Sequence, residues 1–382
     1  MKKCIIVSDS FKGTLSSQEI CSIAKDSFRK LIPSCEVVTI PVADGGEGTV
    51  ACFREACHGT EVTIPVQGPY GETMRATYLQ LEGKQAVIEM ASSAGLPLVG
   101  DQKNPCDTST YGVGQQIRHA VEHGNTRILL GLGGSCTNDG GCGCAAALGV
   151  RFLDTEGHSF IPVGNSLHRI AKIDLRESDR FLRGVQLTAM CDIDNPLHGP
   201  TGAAYVFGPQ KGADKTMVEF LDFQLLVFDN IIQKELGLSV ANIPGAGAAG
   251  GFGAGMMAFL HATLKPGIEA VLDLVQFDTL LQNCNLVITG EGRLDSQSIR
   301  GKVISGVGKR AQQHGVPVVA IVGGITPETE SICEMPEMGI SAVFPINRQA
   351  IPFSESQFHS RENYRYTFES VLRLLNIAEH SK

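Results

Sequence analysis

An α/β fold of two domains is what this sequence predicts, and three observations carry the prediction. Short apolar runs alternate with longer stretches of helical period, the βα rhythm of a parallel sheet. That rhythm occupies both chain ends and is interrupted from Thr60 by runs of antiparallel texture. Five of the runs end in loops of acids, glycines and small polar residues, where α/β proteins bind their ligands.

The chain opens with a strand, Cys4–Ser8, and the loop Asp9-Ser10-Phe11-Lys12-Gly13. Ser16 with Glu19 makes a capping box for a helix reaching Leu31, its apolar face built by Ile20, Ile23, Ala24, Phe28 and Leu31. Pro33 stops it. Val37–Val42 is the next strand, followed by Ala43-Asp44-Gly45-Gly46-Glu47-Gly48 and a helix expected to end near Gly59. Val62–Val66, Thr73–Leu81 and Gln85–Met90 then read as an antiparallel meander. A helix at Gly114–His123, a strand at Arg127–Leu132 and a small-residue helix at Cys142–Leu148 come next. The Gln186–Met190 strand, a long helix at Thr216–Glu235 and the glycine run Pro244–Gly255 follow.

Near residue 275 the βα rhythm returns, with a strand at Leu286–Thr289 and a helix at Val303–His314. Strands Val316–Val322 and Ala342–Phe344 and a last helix at Tyr364–Ala378 complete the chain. The economical architecture is a Rossmann-like parallel α/β/α domain from residues 1–60 and 275–382. A mixed α/β domain, 61–274, is inserted in it, with the active-site cleft expected between the two.

A chain of 382 residues, 43% apolar and 19% charged, has material for two packed cores and no disorder signature. The net charge of −8 without a basic run argues against nucleic acid as a partner. The apolar run after Met1-Lys2-Lys3 is too short for a signal peptide, and no run is long enough for a bilayer, so a soluble cytoplasmic protein is expected. Twelve cysteines lack Cys-x-x-Cys pairing and ten histidines are scattered, which predicts reduced thiols and no zinc site.

The loop Gly133-Gly134-Ser135-Cys136-Thr137-Asn138-Asp139-Gly140-Gly141 is the strongest site signal. It joins a strand to a helix, and its glycines let several N–H groups approach an anion. Asp44, Asp192, Asp194, Glu291 and Asp295 also follow strands. They would repel an anion unless a metal ion or a transferable proton lay between, so the pattern predicts phosphoryl chemistry with Mg²⁺. Lys12, Lys211 and Lys302, in glycine-rich settings, suit phosphate or carboxylate oxygens. Gly245-Ala-Gly247-Ala-Ala-Gly250 matches a dinucleotide pattern but follows a poor strand and lacks a ribose-binding acid. A flexible or close-packed glycine turn is the better expectation, with phosphate contact left open. Neither a Gly-x₄-Gly-Lys-Ser/Thr loop nor a partnered nucleophile for Ser10 or Ser135 is present.

Taken together, these blocks resemble the glycerate kinase type 1 family. The resemblance runs through residues 9–16 and 43–49, the 133–141 loop, Asn195-Pro196-Leu197 and residues 207–213. It continues through residues 244–251, Thr289-Gly290-Glu291-Gly292-Arg293 with Asp295, and Gly301-Lys302, in family order from the first strand to beyond residue 320. Ser8, Cys136 and residues 90–95 depart from the family's usual residues. The resemblance implies ATP- and Mg²⁺-dependent phosphorylation of D-glycerate, with 2-phosphoglycerate as the product of bacterial members.

On that basis Asp192 is the expected base, with Lys12 and Asp44 beside it in catalysis, and Asp44 and Asp295 are the expected metal residues. Ser10, Gly45, Gly46, Glu47, Gly133, Gly134, Ser135, Thr137, Asn138, Asp139, Asn195, Lys211, Glu291 and Lys302 are expected to bind ATP and glycerate. Phosphorylation at the 3-hydroxyl, a nicotinamide-dependent hydroxy-acid dehydrogenase and a non-catalytic sugar-acid binding module are the alternatives. Oligomeric state stays open between monomer and weak dimer.

Overall fold

The computed structural model describes residues 1–382 except 12, 43–49, 51, 52, 55, 56, 58, 300, 301, 330, 350, 381 and 382. The chain divides into two compact units. One comprises Met1–Asp44, Ala51–Cys57 and Pro266–Lys382, the other Gly45–Val50 and His58–Lys265.

In the first unit five strands lie in the order Ala342–Pro345, Val318–Val322, Leu286–Glu291, Lys3–Ser8 and Glu36–Pro41. Every neighbouring pair is parallel. Strands covered on both faces need nearly unbroken apolar sequence, and Cys4–Val7 and Val318–Val322 are buried throughout. Helix Ser17–Leu31 starts at its capping box: Glu19 N–H donates to Ser16 Oγ at 3.2 Å, and Ser16 N–H donates to the Glu19 carboxylate at 3.0 Å. Its buried face meets helix Ser360–His380, where Phe28 and Phe368 pack edge to face at 5.9 Å. Helix Gly267–Leu274 belongs to this unit too, tied through Asp273 to Arg310 at 2.6 Å. The return to the first unit therefore falls at Pro266, ahead of the expected residue 275.

The second unit holds a six-stranded sheet ordered Thr263–Lys265, Gln186–Met190, Arg127–Gly131, Gln85–Glu89, Thr73–Leu81 and Thr60–Gln67. The first four are mutually parallel and the last two continue antiparallel. Gln85–Glu89 thus ends the expected meander on one side and joins the parallel set on the other. Its carboxyl end consequently lies with those of Arg127–Gly131 and Gln186–Met190. A small sheet of Arg151–Leu153, Ser159–Phe160 and Lys172–Asp174 was not expected; strands of two or three residues are too short to show a period. Phe152, Phe228 and Phe259 meet edge to face in the core, at 5.3 and 5.8 Å. Among the described residues no helix is long and apolar enough to cross a membrane.

Candidate active site

The 133–141 loop leaves the strand Arg127–Gly131 and feeds helix Cys142–Ala147. Gly134, Gly140 and Gly141 take positive φ of 74°, 60° and 76°. Backbone bonds hold the loop in place: Cys136 N–H donates to Ala94 O at 3.0 Å and Leu96 N–H to Gly134 O at 2.8 Å. Asp139 is fully buried beneath it. One carboxylate oxygen accepts Thr110 N–H at 2.8 Å, Thr110 Oγ1–H at 2.8 Å and Gly143 N–H at 3.2 Å; the other accepts Gly141 N–H at 3.1 Å. Burial pushes this carboxyl up and the four bonds oppose the shift. Asp139 therefore spends its oxygens on Thr110 and on two backbone donors at the loop's exit.

Lys211 enters the same loop from the turn Pro209–Lys211 and is 2% exposed. Its ammonium donates to Ser135 Oγ at 2.8 Å and Thr137 O at 2.7 Å. Burial lowers its pKa to about 8, against smaller raising effects of Cys136 and Asp139. No carboxylate among the described residues pairs with it directly. In the loop itself, both side-chain amide atoms of Asn138 are buried without a partner. A desolvated cation and an unsatisfied amide are costly unless a further polar or charged group joins them. Gly134, next to Ser135, is the exposed rim of this loop.

The glycine run 245–255 has a different task. At the start of helix Ala248–Leu260, Ala249, Gly250 and Gly251 are left-handed. A Cβ on Gly250 would lie 2.1 Å from Thr137 O, one on Gly255 2.1 Å from Gly140 O, and one on Gly247 2.2 Å from Pro196 O. Two stretches of backbone interlock here, and protein fills the space a pyrophosphate would need. This is the close-packed alternative to a dinucleotide fingerprint.

Beyond the Gln186–Met190 strand, Asp192 and Asp194 are exposed. Asn195 shapes this loop: Nδ2 donates to Thr201 O at 2.8 Å, and its carbonyl accepts Gly247 N–H at 3.0 Å. Glu89 was missed by sequence reasoning; it ends a strand and accepts Val50 N–H. Only the parallel pairing of Gln85–Glu89 reveals it as a strand-end acid of the same set.

In the first unit a cavity of about 470 Å³ opens at the carboxyl ends of the strands. Asp9 and Ser10 reach it from Lys3–Ser8, and Glu291, Arg293 and Asp295 from the end of Leu286–Glu291. Ser10 N–H donates to Asp9 Oδ1 at 2.6 Å. Glu291 is 4% exposed, its Oε1 has no partner, and burial carries its pKa to about 7. Asp9 and Asp295 add to that rise, while Ser298 and Lys302 oppose it. Asp295 caps the turn Ser296–Ile299 through a reciprocal pair with Ser298, at 3.0 and 3.4 Å. Lys302 stands at the N-terminus of helix Val303–Gln313 on the cavity wall. Lys12, Asp44, Gly45, Gly46 and Glu47 lie outside the described residues. Among the described residues no three His, Cys, Asp or Glu side chains converge as a metal-holding group. A larger hollow, about 580 Å³, adjoins Gln186 and the Asp179–His261 pair, at the opposite end of its strand from the glycine loop.

A family model described as the glycerate kinase family matches residues 4–376. The chain belongs to the glycerate kinase family. Its relatives there include the glycerate kinase of Halalkalibacterium halodurans, 46% identical over 93% of each chain. The glycerate 2-kinase of Escherichia coli K12 is 43% identical over 90% of each. The glycerate kinase of Bacillus subtilis is 42% identical, over 99% of this chain and 98% of its own. Among solved structures, that of a candidate glycerate kinase 2 from Salmonella typhimurium LT2 matches with a TM-score of 0.85 at 38% identity, over 99% of both chains. As a member of this family the chain is a kinase, which turns the question from reaction class to the placing of donor and acceptor.

Proposed function

We propose that this chain transfers the γ-phosphoryl group of ATP to the 2-hydroxyl of D-glycerate, giving 2-phospho-D-glycerate and ADP. The observation that carries the reading is Lys211: a buried ammonium with no direct counter-ion among the described residues, bound to a loop that also carries the unsatisfied Asn138 amide. Glycerate and the transferring phosphoryl group are both anions, and phosphoryl transfer depends on positioned cations more than on covalent chemistry. The 43% identity to a protein named glycerate 2-kinase supports the 2-position.

In this reading Lys211, Ser135 and Asn138 hold an anionic oxygen, and the loop's glycines bring N–H groups toward it. Asp192, exposed at its strand end, takes the proton of the attacking hydroxyl. The carboxylates of the first unit are hard oxygen donors, which suits Mg²⁺ held by one or two carboxylates together with phosphate oxygens. Asp295 and Asp44 would hold it, and its chemistry is neutralisation of phosphate charge. An ATP-dependent enzyme of this kind belongs in the cytoplasm.

Phosphorus-31 NMR of the product from D-glycerate, ATP and Mg²⁺ tests the reading. A phosphomonoester coupled to the single C2 proton is expected. Coupling to two C3 protons would make the enzyme a 3-kinase, and no new phosphomonoester would overturn the activity.

A further inference from the structure

We propose that the cavity of the first unit binds the nucleoside end of the phosphoryl donor, Asp9 and Glu291 holding the ribose hydroxyls and the apolar wall the base. The inference rests on the reading of this chain as an ATP-dependent kinase.

Sheet topology is the first support. The chain runs from Lys3–Ser8 outward to Glu36–Pro41 on one side, whereas Leu286–Glu291, Val318–Val322 and Ala342–Pro345 build outward on the other. Strand order therefore reverses between Lys3–Ser8 and Leu286–Glu291. In open parallel sheets the crevice at such a reversal is where nucleotides bind. Asp9 and Glu291, one from each of these two strand ends, both border the cavity.

Size is the second. Glycerate has seven heavy atoms, and about 470 Å³ is several times what it would fill; the volume lies in the range of nucleotide and cofactor sites. Lining chemistry is the third. Asp9 and Glu291, the carboxylates of the cavity other than the proposed metal residue Asp295, are acceptors suited to the hydroxyls of a neutral diol. The buried Glu291 Oε1 without a partner is an acceptor awaiting a donor. Ile325 and Phe353 supply apolar surface on the same cavity, and Phe353 is 65% exposed, so its ring is open to a stacking base. Lys302, at the N-terminus of helix Val303–Gln313, gives the phosphates a favourable edge on which to leave the cavity.

Titration of the full chain with ADP and with 2′,3′-dideoxy-ADP, in the absence of glycerate, tests this. Wild type is expected to bind the dideoxy analogue about tenfold more weakly, the effect of leaving buried acceptors unpaired. Glu291→Leu should remove most of that discrimination. Phe353→Ala, at an exposed position that leaves the core intact, should weaken ADP severalfold while D-glycerate binding holds. Equal affinity of wild type for the two nucleotides, or ADP affinity unmoved in both variants, overturns the assignment. Formation of phosphoglycerate with ADP affinity unmoved in both variants rejects the cavity and leaves the kinase reading standing. ADP affinity that follows the variants, in a protein making no phosphoglycerate, supports the cavity and sinks the activity.

Discussion

Lys211 Nζ lies 2.8 Å from Ser135 Oγ, and together they form a buried cation–hydroxyl pair inside a loop of glycines. Such a pair gains little stability for the free protein, because desolvation of the ammonium has no direct carboxylate to offset it. Its worth lies in what it can bind. Lys211→Met, close in volume and uncharged, is expected to lower kcat/KM by about 10²-fold or more, on the order of 3 kcal/mol of transition-state stabilisation. Lys211→Arg should recover only a small part, since a planar guanidinium cannot repeat a two-point ammonium contact in so tight a space. A coupled assay for ADP release, with melting curves to show that both variants fold, checks this.

The same lysine predicts proton uptake on binding. Its pKa is lowered to about 8 in the free protein, so near pH 8.5 much of the population is neutral. An anion placed against the amine favours the charged form and raises that pKa. Glycerate or phosphate binding at this pH should therefore take up a sizeable fraction of one proton. Isothermal titration in two buffers of different ionisation enthalpy reads that fraction directly. It should vanish in Lys211→Met, and uptake unchanged in that variant would assign the proton elsewhere.

How much of this was legible in the sequence depends on distance along the chain. The Ser16–Glu19 capping box spans four residues, and its helix emerged where the pattern placed it. The strands at Thr73–Leu81 and Gln186–Met190 showed in their apolar runs for the same local reason. Pairing direction was another matter. Nothing within Gln85–Glu89 says that it lies parallel to Arg127–Gly131, so Glu89 escaped notice as a strand-end acid. Nothing near Asp139 in the sequence shows its bond to Thr110, which fills one of its oxygens from 29 residues away. Lys211 and Ser135, 76 residues apart, each stood out separately, but only the fold joins them. The glycine run 245–255 showed its composition and not its partner, the backbone of Thr137 and Gly140.

Glu291 gives a stability prediction with a definite sign. Its carboxyl titrates near 7 in the folded chain against an ordinary value of 4.5. Between those values the native state holds more protons than the unfolded state, so stability falls as pH rises through the window. The penalty is absent below about pH 4.5 and complete above about pH 7, amounting to roughly 2–3 kcal/mol for so buried a group. Glu291→Gln should remove this dependence, melting higher than wild type at pH 8 and about equal to it near pH 4.5. Denaturant melts across that range, without nucleotide or metal, measure the difference. Parallel curves for the two proteins would mean that Glu291 is solvated in the free enzyme.

The interlocked glycines allow steric contact to be separated from backbone strain. Gly255 lies within helix Ala248–Leu260 at an ordinary helical φ, so an alanine there meets no conformational penalty. Its methyl would nevertheless stand 2.1 Å from Gly140 O, a distance that requires the glycine loop to move. Gly124 is the converse, with a φ of +85° and open space where its Cβ would point. Gly124→Ala should cost about 1–2 kcal/mol, the strain of a left-handed alanine, and leave KM for both substrates unchanged. Gly255→Ala should cost about 3 kcal/mol or more as the loop is pushed off the helix. Because that loop carries Ser135 and Asn138 and is braced by Lys211, residual folded protein should bind glycerate at least tenfold more weakly. Denaturant melts with steady-state kinetics separate the two substitutions. An alanine at Gly255 that lowers stability but leaves glycerate binding intact would show that the loop's geometry does not depend on the helix beneath it.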